Sequence, residues 1–313
     1  MAADDLSRIR MRLGTRRSPL AMAQAEEARA RLCAAHGWTP DTVELVGVQA
    51  SGDKITDRPL AEIGGKALWT KELDRLLHEG AIDAAVHSMK DVETVRPDWL
   101  VIAAVLPRAD RRDRLLGASS IAAIPAGTVV GTSAPRRAAQ LLHARPDLTV
   151  IPLRGNVATR MAKLAAGEVG ATFLAAAGLE RLGEDGAGHP LDVEDWLPAP
   201  AQGAIGLECR ADDDRTRSLL SAIDDTDTHA EIAAERALLL ALGGSCHSPI
   251  AALTTLSGDH VTLEAAIYSE NGAQRVIGSA SFARDNSDGP QRLAADLLAR
   301  APEAVKALFD GAG

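Results

Sequence analysis

The chain has 313 residues, 46% apolar and 25% charged, with a formal net charge of −9 and only four tryptophans, one tyrosine and three phenylalanines. That length predicts two or three domains with a sizeable core, while the acidic balance and scarcity of rings exclude sequence-independent nucleic-acid binding. No apolar run is long enough to span a bilayer, the N-terminus lacks an apolar signal core, and Cys33, Cys209 and Cys246 are too scattered for a disulfide framework; a cytoplasmic protein is expected.

The first apolar strand, from Ile9, runs into Gly14-Thr15-Arg16-Arg17-Ser18-Pro19, with Pro in place for a first helical turn and Ser for a cap. Residues 18–36 read as a helix with Leu20, Ala28, Leu32 and Ala35 on one face, closed by Gly37. Residues 43–48 form a strand. Residues 49–66 are polar and aperiodic, a length of loop that suggests a lid. A helix follows over 70–79, then a short strand at 84–87 opening into Ser88-Met89-Lys90-Asp91, and a buried strand at 100–106.

After a break at Pro107-Arg108-Ala109-Asp110, the pattern begins again. Val129-Val130 leads into Gly131-Thr132-Ser133-Ala134-Pro135-Arg136-Arg137, again with Pro and a Ser or Thr at the mouth of a helix. Strands at 128–131, 148–153 and 171–176 alternate with helices at 135–144 and 157–166. This is a second α/β unit on the plan of the first. Residues 198–203 resemble a hinge, and a strand at 204–208 could return to the first unit. Two such lobes would place both arginine turns on facing walls of one cleft.

The last stretch changes character. Thr228-His229-Ala230-Glu231 has the capping-box pattern of a helix reaching Leu242. The loop Gly243-Gly244-Ser245-Cys246-His247-Ser248-Pro249 precedes an alternating strand at 261–268, an Asn271-Gly272 hairpin turn and a strand at 275–282. A C-terminal helix broken near Pro302 completes a small α+β domain. The expected domains are thus 1–106 with 203–222, 107–202, and 226–313.

A helix N-terminus offers unpaired N–H groups and partial positive charge, so arginines there make a site for an anion. Arg154 and Arg160 add to the two pairs. Surface solvation accounts for any one arginine, but not for a set gathered at strand ends, where α/β sheets place ligands. Asp91, beside such a cleft, would stay ionised and could shuttle a proton or stabilise a cation; a Lys-Asp surface turn fits its spacing equally. Cys246, between Gly243-Gly244 and Ser248-Pro249, fits an accessible loop thiol, although from the residues alone an ordinary structural cysteine fits slightly better; Cys33 and Cys209 read clearly as structural. A phosphate loop, a nucleophile elbow and a dinucleotide fingerprint are absent, and the eight histidines form no metal cluster.

Taken together and in order, the stretches Thr15-Arg16-Arg17-Ser18-Pro19-Leu20-Ala21, Ile63-Gly64-Gly65-Lys66, Ala85-Val86-His87-Ser88-Met89-Lys90-Asp91, Gly131-Thr132-Ser133, Arg136-Arg137, Leu153-Arg154-Gly155-Asn156-Val157, Ala201-Gln202-Gly203-Ala204 and Cys246 resemble the porphobilinogen deaminase family over almost the whole chain. The resemblance implies two α/β lobes like those of periplasmic binding proteins plus a small α+β domain, in a monomer. It implies a dipyrromethane cofactor held as a thioether on Cys246, and porphobilinogen as substrate. Four porphobilinogen molecules would be deaminated and joined head to tail into hydroxymethylbilane. Asp91 matches the catalytic carboxylate. Arg16, Ser18, Lys90, Ser133, Arg136, Arg137, Arg154 and Arg160 match positions that hold cofactor or substrate carboxylates. Lys66, Ser88, Thr132, Arg181 and Gln202 are weaker matches. No metal is implied. Departures from the family pattern fall at Arg17, Ala134-Pro135, Ala201 and Ser245-Cys246-His247. A non-catalytic protein binding small anions on the same fold is the alternative.

Overall fold

The computed structural model describes residues 9–48, 70–245 and 247–309. The chain divides into two compact units, residues 1–108 with 204–229 and residues 109–203 with 230–313. In the first, β1 (Met11–Arg16), β2 (Val43–Val48), β3 (Ala84–Ser88), β4 (Leu100–Val105) and a returning strand, β10 (Ile205–Arg210), form one sheet. Its order is β2-β1-β3-β10-β4, with β10 antiparallel to both neighbours. Both faces are covered, so successive side chains of β3 go to different cores. Val86 joins Met11, Leu13, Ala28, Leu32 and Leu207 beneath α1 (Pro19–His36). Ala85 joins Leu73, Leu77 and Ile82 beneath α2 (Lys71–His78).

The second unit repeats that plan. Strands β5 (Asp113–Leu116), β6 (Val129–Gly131), β7 (Thr149–Ile151), β8 (Ala171–Ala175) and β9 (His189–Pro190) lie in the order β7-β6-β8-β5-β9. Here β5 is the antiparallel member, between β8 and β9. Helices α3 (Pro135–Ala144), α4 (Val157–Ala165) and α5 (Ala176–Glu180) follow β6, β7 and β8. The same unit holds a separate antiparallel sheet of β11 (Ile250–Ser257), β12 (His260–Tyr268) and β13 (Arg275–Ala283). Its core of Ile250, Leu263, Ile267, Phe282, Leu238 and Leu297 packs against α7 (Thr226–Ala241) and α8 (Asp288–Arg300), with the short α9 (Glu303–Lys306) after Pro302.

Several expectations are corrected. Ala35 is exposed and Leu20 half-buried, because the buried stripe of α1 runs through Gln24, Ala25, Ala28, Leu32 and Cys33. The cap of α7 is Asp225, whose carboxylate accepts from Thr228 N at 2.8 Å; Thr228 lies inside the first turn, and its hydroxyl accepts from Arg108 N. The second arginine helix is capped by Ala134, which has no side chain to offer. Strands β5, β9 and β11 and the helix α6 (Asp214–Ser221) have no counterpart in the sequence reading.

Among the described residues, Ala201 is the only non-glycine with positive φ, at 61°. Its N–H donates to Glu235 Oε2 at 2.5 Å, and Glu235 Oε1 accepts from Thr254 N at 3.1 Å, so a buried carboxylate holds the backbone in that conformation. A Cβ in the left-handed region costs about 1–2 kcal/mol, and glycine's extra freedom when unfolded returns about 0.5–1 kcal/mol of that. Ala201→Gly is therefore expected to stabilise the fold by up to about 1 kcal/mol in urea denaturation; a variant less stable than the parent would contradict the strain.

Candidate functional site

In unit 1, β1 delivers Arg16 and β3 delivers the Asp91 turn. Gly14 is required because a Cβ there would collide with Ile82 and stand 2.9 Å from Leu73 Cδ2. The buried Thr15 hydroxyl donates to Ala21 O at 3.1 Å, and Ser18 Oγ accepts from Ala21 N at 3.3 Å, which fixes the start of α1 beside Arg16. After β3 the chain makes a tight 3-10 turn over Met89–Asp91. Arg16, Gln24, Thr70, His87, Ser88 and Asp91 line one recess. Gln24 Nε2 donates to Ser88 Oγ at 2.8 Å on its wall. Lys90 is half-buried on the same turn.

Next to this recess lies a buried charge network that the sequence reading missed. Arg96 donates through Nε to Glu208 Oε1 at 2.9 Å and through Nη2 to Oε2 at 2.7 Å. It also reaches Asp74 at 2.6 Å, Glu93 at 3.0 Å and the Thr70 hydroxyl at 3.2 Å. Burial opposes ionisation of Glu208, but Arg96, through its hydrogen bonds and charge and with His87 close by, outweighs it and holds the carboxyl at about 2. Arg96 is the better aligned partner; His87 Nε2 stands 3.4 Å from Oε2 and makes no hydrogen bond. The available sequence signal was a glutamate inside the apolar run Ile205-Gly206-Leu207-Glu208-Cys209, since a lone acid in a buried strand demands a cation.

In unit 2, Gly131 repeats the role of Gly14: a Cβ would lie 2.9 Å from Leu153 Cβ. Thr132 is buried, and its hydroxyl accepts from Ala134 N at 3.2 Å. Ser133 Oγ is buried with no hydrogen-bond partner among the described residues. Arg136 and Arg137, expected to hold ligand carboxylates, are only 4% and 5% exposed and hold a carboxylate of the chain itself. Arg136 Nη1 meets Asp113 Oδ2 and Arg137 Nη2 meets Asp113 Oδ1, both at 2.6 Å. Gln202 Nε2 adds a third bond to Asp113 at 2.9 Å. Burial alone would raise the Asp113 carboxyl; the two guanidinium groups drive it far below the usual carboxylate range.

Arg154, half-buried, follows β7. Gly155, at φ +116°, lets the chain turn into α4, where Asn156 caps Thr159 N at 2.9 Å and Arg160 Nε donates to Gly155 O at 2.9 Å. Arg181 Nη2 donates to Gly203 O at 3.2 Å. Lys66 and Cys246 lie outside the described residues. Of the other thiols, both buried, burial together with Asp213 pushes Cys209 up to about 11, and burial also raises Cys33, so neither is a ready nucleophile. Among the described residues no group of three His, Cys, Asp or Glu side chains is placed to hold a metal ion, and no helix is long and apolar enough to cross a membrane.

Residues 11–218 match the sequence model described as "Porphobilinogen deaminase, dipyromethane cofactor binding domain", and residues 229–299 match the C-terminal domain of the same family. The chain belongs to the porphobilinogen deaminase family. A porphobilinogen deaminase from Sphingopyxis alaskensis is 54% identical over 305 residues, covering 96% of each chain. One from Paracoccus denitrificans is 49% identical, covering 93% of this chain and 95% of its own. A chloroplastic porphobilinogen deaminase of rice is 49% identical over 80% of this chain and 71% of its own. Among solved structures, a Salmonella typhimurium periplasmic binding protein of high arginine specificity overlaps 70% of this chain and 93% of its own at 12% identity and a TM-score of 0.38. The fold of this porphobilinogen deaminase family member rests on its own strand order, not on that overlap. The dipyrromethane cofactor of the family is an anionic group, and the residues present fit it: Ser133 Oγ is buried and unpartnered among the described residues, and Arg136 and Arg137, which follow it in the chain, outnumber the carboxylate they hold.

Removing one partner of a buried ion pair leaves the other uncompensated. Glu208 has a folded value depressed from an ordinary 4.5 to about 2, so its stabilisation is present above pH 4.5 and lost as pH falls toward 2. Glu208→Gln is expected to lose about 3 kcal/mol near neutrality. The gap from the parent should narrow below about pH 4.5 in denaturation curves taken across pH; a gap independent of pH would contradict the ionised pairing.

Proposed function

We propose that this chain is a hydroxymethylbilane synthase, a transferase that deaminates four porphobilinogen molecules and joins them head to tail into a linear tetrapyrrole. The observation that carries this reading is that Asp91 and Arg16 line one recess. A carboxylate in that recess can oppose a cation that develops during reaction, and membership of the porphobilinogen deaminase family likewise does not favour the non-catalytic alternative. Porphobilinogen bears an acetate and a propionate, which Arg16 can grip through its planar fork while the ring lies near Asp91. When the C–N bond of the aminomethyl group breaks, the electron pair leaves with ammonia and the ring becomes cationic. Asp91 accepts the pyrrole N–H and opposes that charge. Val86, Val92 and Ala21 line the same recess and limit its water, which strengthens the interaction.

A dipyrromethane thioether on Cys246, when bound, supplies the nucleophilic pyrrole carbon to which the units are added. Ser133, Arg136, Arg137, Arg154 and Arg160, with Lys66, Thr132, Arg181 and Gln202, are the residues proposed to hold its carboxylates or those of the growing chain. Ser18 and Lys90 are proposed for the substrate side, with Ser88 braced by Gln24. The proposed domain bounds are 1–106 with 203–222, 107–202 and 226–313; the separate core of the antiparallel sheet supports the last. A cytoplasmic monomer completes the reading.

Asp91→Asn should lower turnover of porphobilinogen by about 100-fold or more with an unchanged thermal melt; a folded Asp91→Asn variant of normal rate would reject the assignment. Intact-protein mass spectrometry of material made in a porphobilinogen-competent host should show two linked pyrroles on the parent and none on Cys246→Ser. An unmodified parent would refute the cofactor's attachment.

A further inference from the structure

The strongest feature outside the expected site residues is Asp113, the first residue of β5, which has no exposed surface. Each of its oxygens receives two bonds. Arg137 Nη2 and Gln202 Nε2 donate to Oδ1, and Arg136 Nη1 and Trp196 Nε1 donate to Oδ2, at 2.6–2.9 Å. With its lone pairs so occupied, the carboxylate is not placed to accept from a substrate. Its effect falls on the two arginines.

Those arginines are pinned from further directions as well. Arg136 Nη1 also donates to Leu197 O at 3.2 Å, and Arg137 Nη1 to Phe173 O at 3.0 Å. Trp196 is itself locked, stacked on Phe173 with centroids 5.0 Å apart. The two forks are therefore set before any ligand arrives, the condition under which binding loses least to ordering. The charge count is equally definite. Two guanidinium groups and one carboxylate leave a single positive charge in a buried place. A monoanionic carboxylate neutralises that charge; a phosphate dianion would leave one negative charge without a partner, which a low-dielectric interior penalises heavily.

We propose that Asp113 is a positioning and specificity-determining residue, holding Arg136 and Arg137 in place and reducing their combined charge to one, so that this cluster accepts carboxylate groups and rejects phosphate. The proposal rests on the reading of the arginine pair as part of a site for pyrrole carboxylates. It goes beyond that reading in assigning selectivity to an acid that touches no ligand.

The test uses the purified holoprotein, Asp113→Asn, Asp113→Glu and Trp196→Phe. Thermal melts are recorded with propionate or inorganic phosphate at about pH 8, where propionate is a monoanion and phosphate mainly a dianion, alongside porphobilinogen consumption with phosphate as competitor. Propionate should raise the parent's melting temperature and phosphate should not. In Asp113→Asn, phosphate should become stabilising and a competitive inhibitor, with KM for porphobilinogen raised about tenfold or more and kcat changed less. Asp113→Glu, which restores the charge, should restore the preference for propionate. If Asp113→Asn does not fold, Trp196→Phe decides: it removes one donor and keeps the charge, so KM should rise several-fold with phosphate still excluded. A folded Asp113→Asn with the parent's KM and ion preference overturns the proposal, as does an unchanged KM in Trp196→Phe where Asp113→Asn is unfolded. A parent that shows the ion preference without consuming porphobilinogen would reject the proposed function and leave the selectivity intact; one that consumes it without the preference would do the reverse.

Discussion

A carboxylate withdrawn from water must be met by positive charge from its own chain, and each mixed sheet contains such a carboxylate. Glu208 sits on β10 and Asp113 on β5, and these are the corresponding strands, the antiparallel member next to one edge in each five-stranded order. The shared plan thus extends from backbone to electrostatics. In each unit the acid draws arginine side chains from other segments, Arg96 in the first and Arg136 with Arg137 in the second. Buried pairs of this kind add little net stability compared with apolar packing, but they penalise any arrangement that separates them. Their contribution is to make one placement of the segments correct.

The units differ in which arginines are committed. In the first, Arg96 comes from the segment before β4 and neutralises Glu208, while Arg16 lines the recess with Asp91. In the second, the arginines at the helix mouth are themselves the partners of the buried acid. One recess thus has an arginine and a carboxylate on its lining, whereas the other cluster is anchored by a saturated acid. On the proposed function, the first arrangement suits chemistry and the second suits holding.

The alternation of strands and helices, the glycine stops and the proline starts were legible because each is a local signal with a local cause. Helix α1 begins after Ser18 and ends at Gly37 as its own residues require. Residues 135–144 likewise form the helix their pattern predicts. Arg16 and Asp91 were legible because each stands at the end of a recognisable strand. Asp113 and β5 were not. The segment Arg111-Arg112-Asp113-Arg114 reads as a solvated charge run, and only a sheet built from distant residues turns one of its acids inward. Strand β11 was hidden behind a glycine-rich loop, and the caps at Asp225 and Ala134 lay one to three residues from the residues that looked the part. Local chemistry fixes where elements begin; long-range pairing decides which polar groups are buried.

The placement of β10 also sets a timetable. It lies between β3 and β4, yet about a hundred residues separate β4 from it in the chain. At a synthesis rate of about 5–20 residues per second, the nascent first sheet waits on the order of 5–20 seconds with the position between β3 and β4 open. During that interval the inner edges of β3 and β4 are unpaired and Arg96 lacks Glu208. Ribosome pauses between residues 105 and 205 would lengthen that exposure. The emerging chain is therefore most in need of chaperone protection while the second lobe is being made, before the first has closed.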